Sequence, residues 1–314
     1  MTLTLVAVGL AAGEDAGDLR QILMLVLAAV LFHVGVFVCN DVVDIRIDRT
    51  DSRRQDLPLS SGLVPPWGGV AVVGIVLPMG AAVLWWSNHR SAVLVCYGFA
   101  VTGLLIYDLL GKKTRVPPLL DLIQGAGWSG LFLVAVTSAG HITSSARWLA
   151  CSAGLYVALV NGVIASLRDL PNDYRHRAGT TAVMFMGRCG ALADSIPASY
   201  VRYALVLHVT LATTCVVGVA TLDRQIDGSI VQAITVSALG EVVCLVLLVV
   251  GLLRYDTGQA GWIAGLSYVL IALWAFSAPI LATFGWLAFT ATSLVLSLPW
   301  FGSRVVQSVF RMGR

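Results

Sequence analysis

The sequence predicts an all-α integral membrane protein, a bundle of about nine transmembrane helices. Three observations predict it. Of the 314 residues, 58% are hydrophobic and only 12% charged, against roughly 45–50% and 25% in a soluble domain, and the mean hydropathy is +0.86. The apolar residues gather into segments of about 20, the length of helix that crosses a hydrocarbon core. The basic residues, in turn, collect in alternate loops.

Taken in order, the apolar segments run at 20–42, 66–86, 91–110, 118–138, 147–167, 203–221, 229–253, 261–281 and 283–302. A further stretch, Thr2 to Ala12, is too short to cross alone and too short and uncharged for a clear signal peptide. It reads either as the end of a first helix or as an interfacial arm. If the end of segment 20–42 defines one side of the membrane, that side receives Arg46, Arg49, Arg53 and Arg54. It then receives Lys112, Lys113 and Arg115, next Arg168, Arg175, Arg177 and Arg188, and finally Arg254, Arg304, Arg311 and Arg314. Fifteen of the 20 basic residues lie there, so the positive-inside rule makes it the cytoplasmic side. No linker or low-complexity segment divides the chain, which is expected to form a single transmembrane domain over 1–314.

The charge balance excludes some functions. A net charge of +3 without a Lys/Arg-rich block does not suggest a nucleic-acid partner. The six cysteines (39, 96, 151, 189, 215 and 244) form no CxxC pair, so neither a zinc site nor a disulfide framework is signalled, and they read as small core residues. Nothing implies an obligate protein partner; the lipid bilayer is the surrounding the chain requires.

Two polar loops on the cytoplasmic side carry the chemistry. The first follows segment 20–42 and reads Asn40-Asp41-Val-Val-Asp44-Ile-Arg-Ile-Asp48-Arg49. If the helix continues through it, Asn40, Asp44 and Asp48 recur every four residues on a shared face, with Asp41 beside Asp44. Carboxylates crowded at a helix C-terminus repel one another and oppose the helix dipole. A cation offsets that, and Mg2+ held by one or two carboxylates plus phosphate oxygens is the natural choice. The plain alternative is a solvated acidic loop neutralised by Arg46 and Arg49.

The second loop, Ser166 to Thr181, contains Arg168, Asp169, Pro171, Asn172, Asp173, Arg175, His176 and Arg177. Pro171 is expected to end or kink the helix near Leu170. Asp169 and Asp173 suit a second cation, and the arginines suit phosphate; the plain alternative is a basic loop that obeys the topology rule. A third loop adds Tyr107, Asp108, Lys112 and Lys113. Together the three suit a diphosphate bridged by divalent metal, above an apolar chamber that fits a polyisoprene tail. A cation transporter is disfavoured, because transport sites lie near the bilayer midplane and almost all the acids here lie at helix ends.

These motifs resemble those of the UbiA-type intramembrane prenyltransferase superfamily. Asn40 to Asp48 is an NDxxDxxxD motif, preceded by His33-Val-Gly; Leu57-Pro-Leu-Ser-Ser-Gly62 resembles its R-P-L-x-S-G segment. Tyr107 with Lys113 resembles its Tyr-to-Lys loop, and Asp169-Leu-Pro-Asn172 with Arg177, Gly179 and Thr181 resembles its second signature. The resemblance implies a nine-helix bundle around a central cavity with a polar cytoplasmic cap, in a cell membrane such as a bacterial inner membrane. It implies magnesium at both acidic motifs: Asn40, Asp41, Asp44 and Asp48 at one, Asp169 and Asp173 at the other. An isoprenyl diphosphate would be bound by Asn40, Arg53, Tyr107, Lys112, Lys113, Arg168, Asn172, His176 and Arg177. The implied reaction is prenyl transfer to a small acceptor, aromatic in the usual case. The alternative is a terpene cyclase that closes the chain on itself.

The departures bear on the acceptor. Leu57 stands where the family has arginine, Phe37 where asparagine is common, and Asn172 and His176 where aspartates are usual. An acceptor with a carboxylate should be held less well for want of that arginine. Tyr107, Trp128, Tyr156 and Trp274 lie in spans and read mainly as packing aromatics, with the capacity to steady a carbocation. His33 is a candidate cavity residue, whereas His89, His141 and His208 show no acidic neighbour pattern and read as structural.

Overall fold

The computed structural model of the chain describes residues 1–13, 18–51, 54–187, 196–222, 228–254 and 259–293, all helical or connecting, with no strand among them. The helices are α1 (Thr2–Ala12), α2 (Leu19–Asp48), α3 (Pro66–Asn88), α4 (Ser91–Leu110), α5 (Pro117–Ala139) and α6 (Ser144–Leu159). They continue as α7 (Ser166–Arg175), α8 (Thr181–Met186), α9 (Ala198–Ala220), α10 (Gly228–Leu253), α11 (Gln259–Phe276) and α12 (Ala278–Ser293). Local signals start several of them. The Asp18 carboxylate accepts from the Gln21 amide at 2.7 Å, and Thr143 Oγ1 accepts from the Ala146 amide at 3.1 Å, each capping a helix N-terminus. α3 and α5 begin on Pro66 and Pro117, where the missing N–H costs nothing.

Seven helices among the described residues are long and apolar enough to span a bilayer. In the region of the predicted spans 261–281 and 283–302, α11 and α12 meet at Ser277 in a bend of 84°, a broken span or a re-entrant pair, and residues beyond 293 lie outside the described chain. Among the described residues the spans number seven, or eight if the bent pair is one, beside the expected nine or so. α1 is packed into the bundle rather than laid along its surface. It lies against α5, with Gly9 beside Phe132 and Ala135 and with Leu5, Val6, Val8 and Ala11 buried. At about 1.5 Å per residue its length is about half a hydrocarbon core.

Lipid tails give no hydrophobic drive for helices to associate, so close backbone approach must supply the contact. α4, α5 and α6 show it: Gly125 meets the Gly154 carbonyl, and a Cβ on Gly103 would lie 3.1 Å from Gly127 Cα. Interhelical hydrogen bonds add to this, Ser129 Oγ donating to the Ala150 carbonyl and Ser145 Oγ to the Gly218 carbonyl, both at 2.6 Å. Of the cysteines, Cys39, Cys215 and Cys244 are core residues as expected and Cys96 is half-buried. Cys151 faces outward, on the exposed stripe of α6 that carries Ser144, Arg147 and Trp148. Cys189 lies outside the described residues.

Pro171 neither ends nor terminates a span. α6 runs through a π-helical turn, Val160–Ala165, into α7, which continues past Pro171 to Arg175. The proline removes one N–H, and the surrounding bonds carry the helix on; His176 N still donates to the Asn172 carbonyl at 3.2 Å.

Candidate functional site

One cavity of about 380 Å³ opens among α2, α4, α5 and the α6–α7 segment. α2 continues unbroken to Asp48, so Val36, Phe37, Asn40 and Asp44 project from one side of it into the cavity. α4 and its following turn supply Leu104, Tyr107, Asp108 and Lys112. α5 supplies Asp121, Gln124 and Trp128 at helical spacing, and the α6–α7 segment supplies Asn161, Ser166, Arg168, Asp169 and Asp173. The floor is apolar and the mouth is charged.

The mouth is an interlocked set of acids and bases. Lys112 Nζ lies 2.6 Å from Asp44 Oδ2, tying the third loop to the first. Arg168 grips Asp169 with two parallel bonds of 2.8 and 2.6 Å. Arg54 Nη1 lies 3.2 Å from Asp48 Oδ1. Burial works against the charge of Arg54, yet the carboxylates of Asp48 and Asp169 hold its pKa above the ordinary arginine value. Arg54 thus joins both acidic motifs electrostatically. Asn40 Nδ2 donates to Asp108 Oδ1 at 3.3 Å, while Asp108 Oδ2 is buried with no hydrogen-bond partner among the described residues. The second loop is pinned here too, since Gly179 N donates to the Lys112 carbonyl at 2.8 Å. All three polar loops therefore meet at one end of the bundle.

Not every expected residue reaches the cavity. Asn40, Asp44, Tyr107, Lys112, Arg168, Asp169 and Asp173 line it. Asp41 is half-buried off the lining, and Asp48 is buried behind it on Arg54. Lys113 and Arg177 point to solvent, Arg177 with φ 53°, and Asn172 sits half-buried outside. His176 Nε2 is 2.7 Å from Thr50 Oγ1, a link between the two motif loops, and does not face the chamber. Arg53 lies outside the described residues, and its neighbour Arg54 lines the cavity. His33 is exposed, bonded to Thr2 Oγ1 at 2.8 Å and tilted over Phe37. Of the four aromatics, Tyr107 and Trp128 line the cavity. Tyr156 donates instead to the Val269 carbonyl and Trp274 rests on Phe289. His208 has an acidic neighbour after all: α10 brings Glu241 within 3.9 Å and α11 brings the Tyr268 hydroxyl within 3.0 Å.

Sequence reasoning missed Asp121, Gln124 and Asn161. The signal was there, because polar side chains within apolar spans turn inward.

Among the described residues no three His, Cys, Asp or Glu side chains converge to enclose a metal. The donors instead face one another across the cavity, Asn40, Asp44 and Asp108 on one side and Asp169 and Asp173 on the other. Such a set fits Mg2+, which takes one or two carboxylates and completes its shell with water and phosphate oxygens. The unpartnered Asp108 oxygen at the mouth points the same way.

Comparison with known proteins agrees with this geometry. Residues 1–226 match the model of the UbiA prenyltransferase family. A 4-hydroxybenzoate octaprenyltransferase from Pseudomonas putida (strain W619) is 28% identical over 182 residues, 58% of this chain and 60% of that protein. A decaprenyl-phosphate phosphoribosyltransferase from Mycolicibacterium smegmatis is 23% identical over 235 residues, 74% of this chain and 67% of that one. The chain thus spans about 60% of the length of the octaprenyltransferase relatives it matches. The apo structure of a UbiA homolog from Aeropyrum pernix K1 superposes with a TM-score of 0.67 at 18% identity, covering 89% of this chain and 95% of that one. A solved structure of digeranylgeranylglyceryl phosphate synthase in membranes gives a TM-score of 0.54 at 16% identity, over 88% and 91%.

Proposed function

Because the chain belongs to the UbiA prenyltransferase family, we propose that it transfers an isoprenyl group from its diphosphate to a small, aromatic acceptor with Mg2+ at the cavity mouth. The observation that carries this reading is the joining, in one cavity, of a mouth lined by paired acids and bases to a floor of Val36, Phe37, Leu104, Trp128 and Val160. Lys112, Arg54 and Arg168 are the cations placed to meet the diphosphate. Asn40, Asp44 and Asp108, with Asp169 and Asp173 opposite, would hold Mg2+. When bound, the ion would neutralise charge that builds on the phosphate oxygens. As the allylic C–O bond breaks, the basic side chains take up the leaving diphosphate, in a setting of low dielectric where such contacts are strong. The apolar floor keeps water from the allylic cation, and the faces of Tyr107 and Trp128 steady it. Asp48 acts at one remove, holding Arg54.

The orientation proposed puts this mouth in the cytoplasm. A single domain over 1–314 is also proposed, since α10 and α11, beyond the family match, are joined to α9 within it. His208 bonds both the Tyr268 hydroxyl and the Glu241 carbonyl, at 3.0 and 3.2 Å.

One observation favours a second reading. Phe37, where the family pattern has a polar residue, lies 6.5 Å from Trp128 across the floor, and an aromatic floor suits closure of the prenyl chain on itself. The test is purified enzyme with farnesyl or geranylgeranyl diphosphate, with and without phenolic acceptors, products read by mass spectrometry. A prenylated phenol is expected. A cyclic hydrocarbon or alcohol formed without acceptor would overturn transfer in favour of cyclisation. EDTA should abolish product formation and added Mg2+ should restore it; full activity in EDTA would remove the metal from the reading.

A further inference from the structure

Below the charged mouth the cavity has a second polar region that the diphosphate does not need. Asp121, on α5, is only 5% exposed and faces the cavity. Its Oδ2 accepts a short hydrogen bond from Thr181 Oγ1, and no described residue donates to its other oxygen. Beside it, Asn161 donates to Gln124 in a second short bond, leaving the Asn161 carbonyl and the Gln124 amide to other partners. Gly162 keeps this corner open. A Cβ there would meet Asp121 Oδ2 at 2.5 Å and the Tyr203 hydroxyl at 3.2 Å, and that hydroxyl is itself buried with no partner among the described residues. A carboxylate, two amides and an unpartnered hydroxyl in a membrane interior are costly unless a guest pairs with them.

The chemistry of this corner selects the guest. Among the described residues it holds acceptors and amides but no basic side chain, so a hydroxyl that donates to Asp121 is welcome and an ionised carboxylate is disfavoured. The basic side chains that line the cavity among the described residues, Arg54, Lys112 and Arg168, are at the mouth and already engaged with Asp48, Asp44 and Asp169. Leu57, which has no charge to offer a carboxylate, is 38% exposed and off the cavity. We infer that Asp121, Gln124 and Asn161 form the acceptor subsite, and that the acceptor is an uncharged hydroxyl compound bound through its O–H to Asp121. The inference rests on the transfer reading above and narrows it, since the relatives named for 4-hydroxybenzoate take their name from an acid ionised at neutral pH.

The experiment compares three probes that differ in one feature each: methyl 4-hydroxybenzoate, 4-hydroxybenzoate, and methyl 4-methoxybenzoate. Equilibrium binding of each to the purified full chain is measured in detergent. The neutral phenol should bind about tenfold tighter than either the anion or the methoxy ester, as expected when a buried acceptor is otherwise left unpaired. Asp121→Asn should weaken the phenol by about tenfold and erase its advantage over the methoxy ester, an effect that general loosening of the fold would not produce. A preference for the hydroxyl that survives in Asp121→Asn, or equal binding of the anion by the wild type, overturns the inference. Should Asp121→Asn fail to fold, Asn161→Leu provides the test. A several-fold loss for the phenol supports the subsite and no loss overturns it. Diphosphate release from geranylgeranyl diphosphate by the wild type is followed in parallel. Its absence would sink the transfer reading while the probe selectivities still decide the subsite.

Discussion

At the residue scale the site depends on which acids face the cavity. A four-residue repeat looks like one face of a helix, but each step of four turns the chain by about 400°, so the face drifts by about 40° per step. Asn40 and Asp44 stay within the cavity wall; Asp48, about 80° from Asn40, has left it and meets Arg54. Asp44 is the member with the most at stake, being buried and 2.6 Å from Lys112. Asp44→Ala should lower turnover by about a hundredfold or more, the scale seen when one preorganised electrostatic partner is removed. The protein should still be recovered folded, because the lysine freed at the mouth can reach water. Turnover within threefold of wild type would show that Asp44 holds neither metal nor diphosphate.

At the element scale the decisive feature is the π turn at Val160–Ala165. Asn161 and Asp173 both line the cavity, although twelve residues of plain α-helix would set them about 120° apart. A π turn absorbs one residue and reduces that offset to about 20°. Inserting one alanine between Ala165 and Ser166 should therefore swing Asp169 and Asp173 by about 100°, away from the mouth. The expected result is retained helicity by circular dichroism with turnover down by about a hundredfold. Normal turnover in the insertion variant would mean that the second motif does not act from this face. Nothing in the residue types of 160–165 announces a π turn, so a continuous helix stopping at Pro171 was the natural expectation.

At the scale of the whole molecule, three polar loops separated by up to 130 residues in the chain converge at one end of the bundle. The orientation proposed from the asymmetry of basic residues has that end facing the cytoplasm. In a background with Cys151, the outward-facing cysteine, replaced, Arg175→Cys should react only with membrane-permeant thiol reagents in sealed cells. His141→Cys, at the opposite end of α5, should react with impermeant ones. Labelling of Arg175→Cys from outside would invert the topology and put the mouth on the wrong side for a cytoplasmic diphosphate.

The sequence by itself determined the membrane environment, most of the spans, the two acidic motifs and their common side. Those features follow from local composition: an apolar run of about 20 residues has few other stable settings, and loop charge is counted without knowing contacts. It could not decide which polar residues share the cavity. Asp121, Gln124 and Asn161 sit in runs whose length and hydropathy mark them only as spans. Their meeting depends on α5 approaching α6 at Gly125 and Gly154 and on the added residue of the π turn. The last two predicted spans fare likewise, since two apolar runs read the same whether they cross separately or fold back at 84°. Composition states what a segment can be buried in; only packing against other helices sets which of its faces meets the cavity.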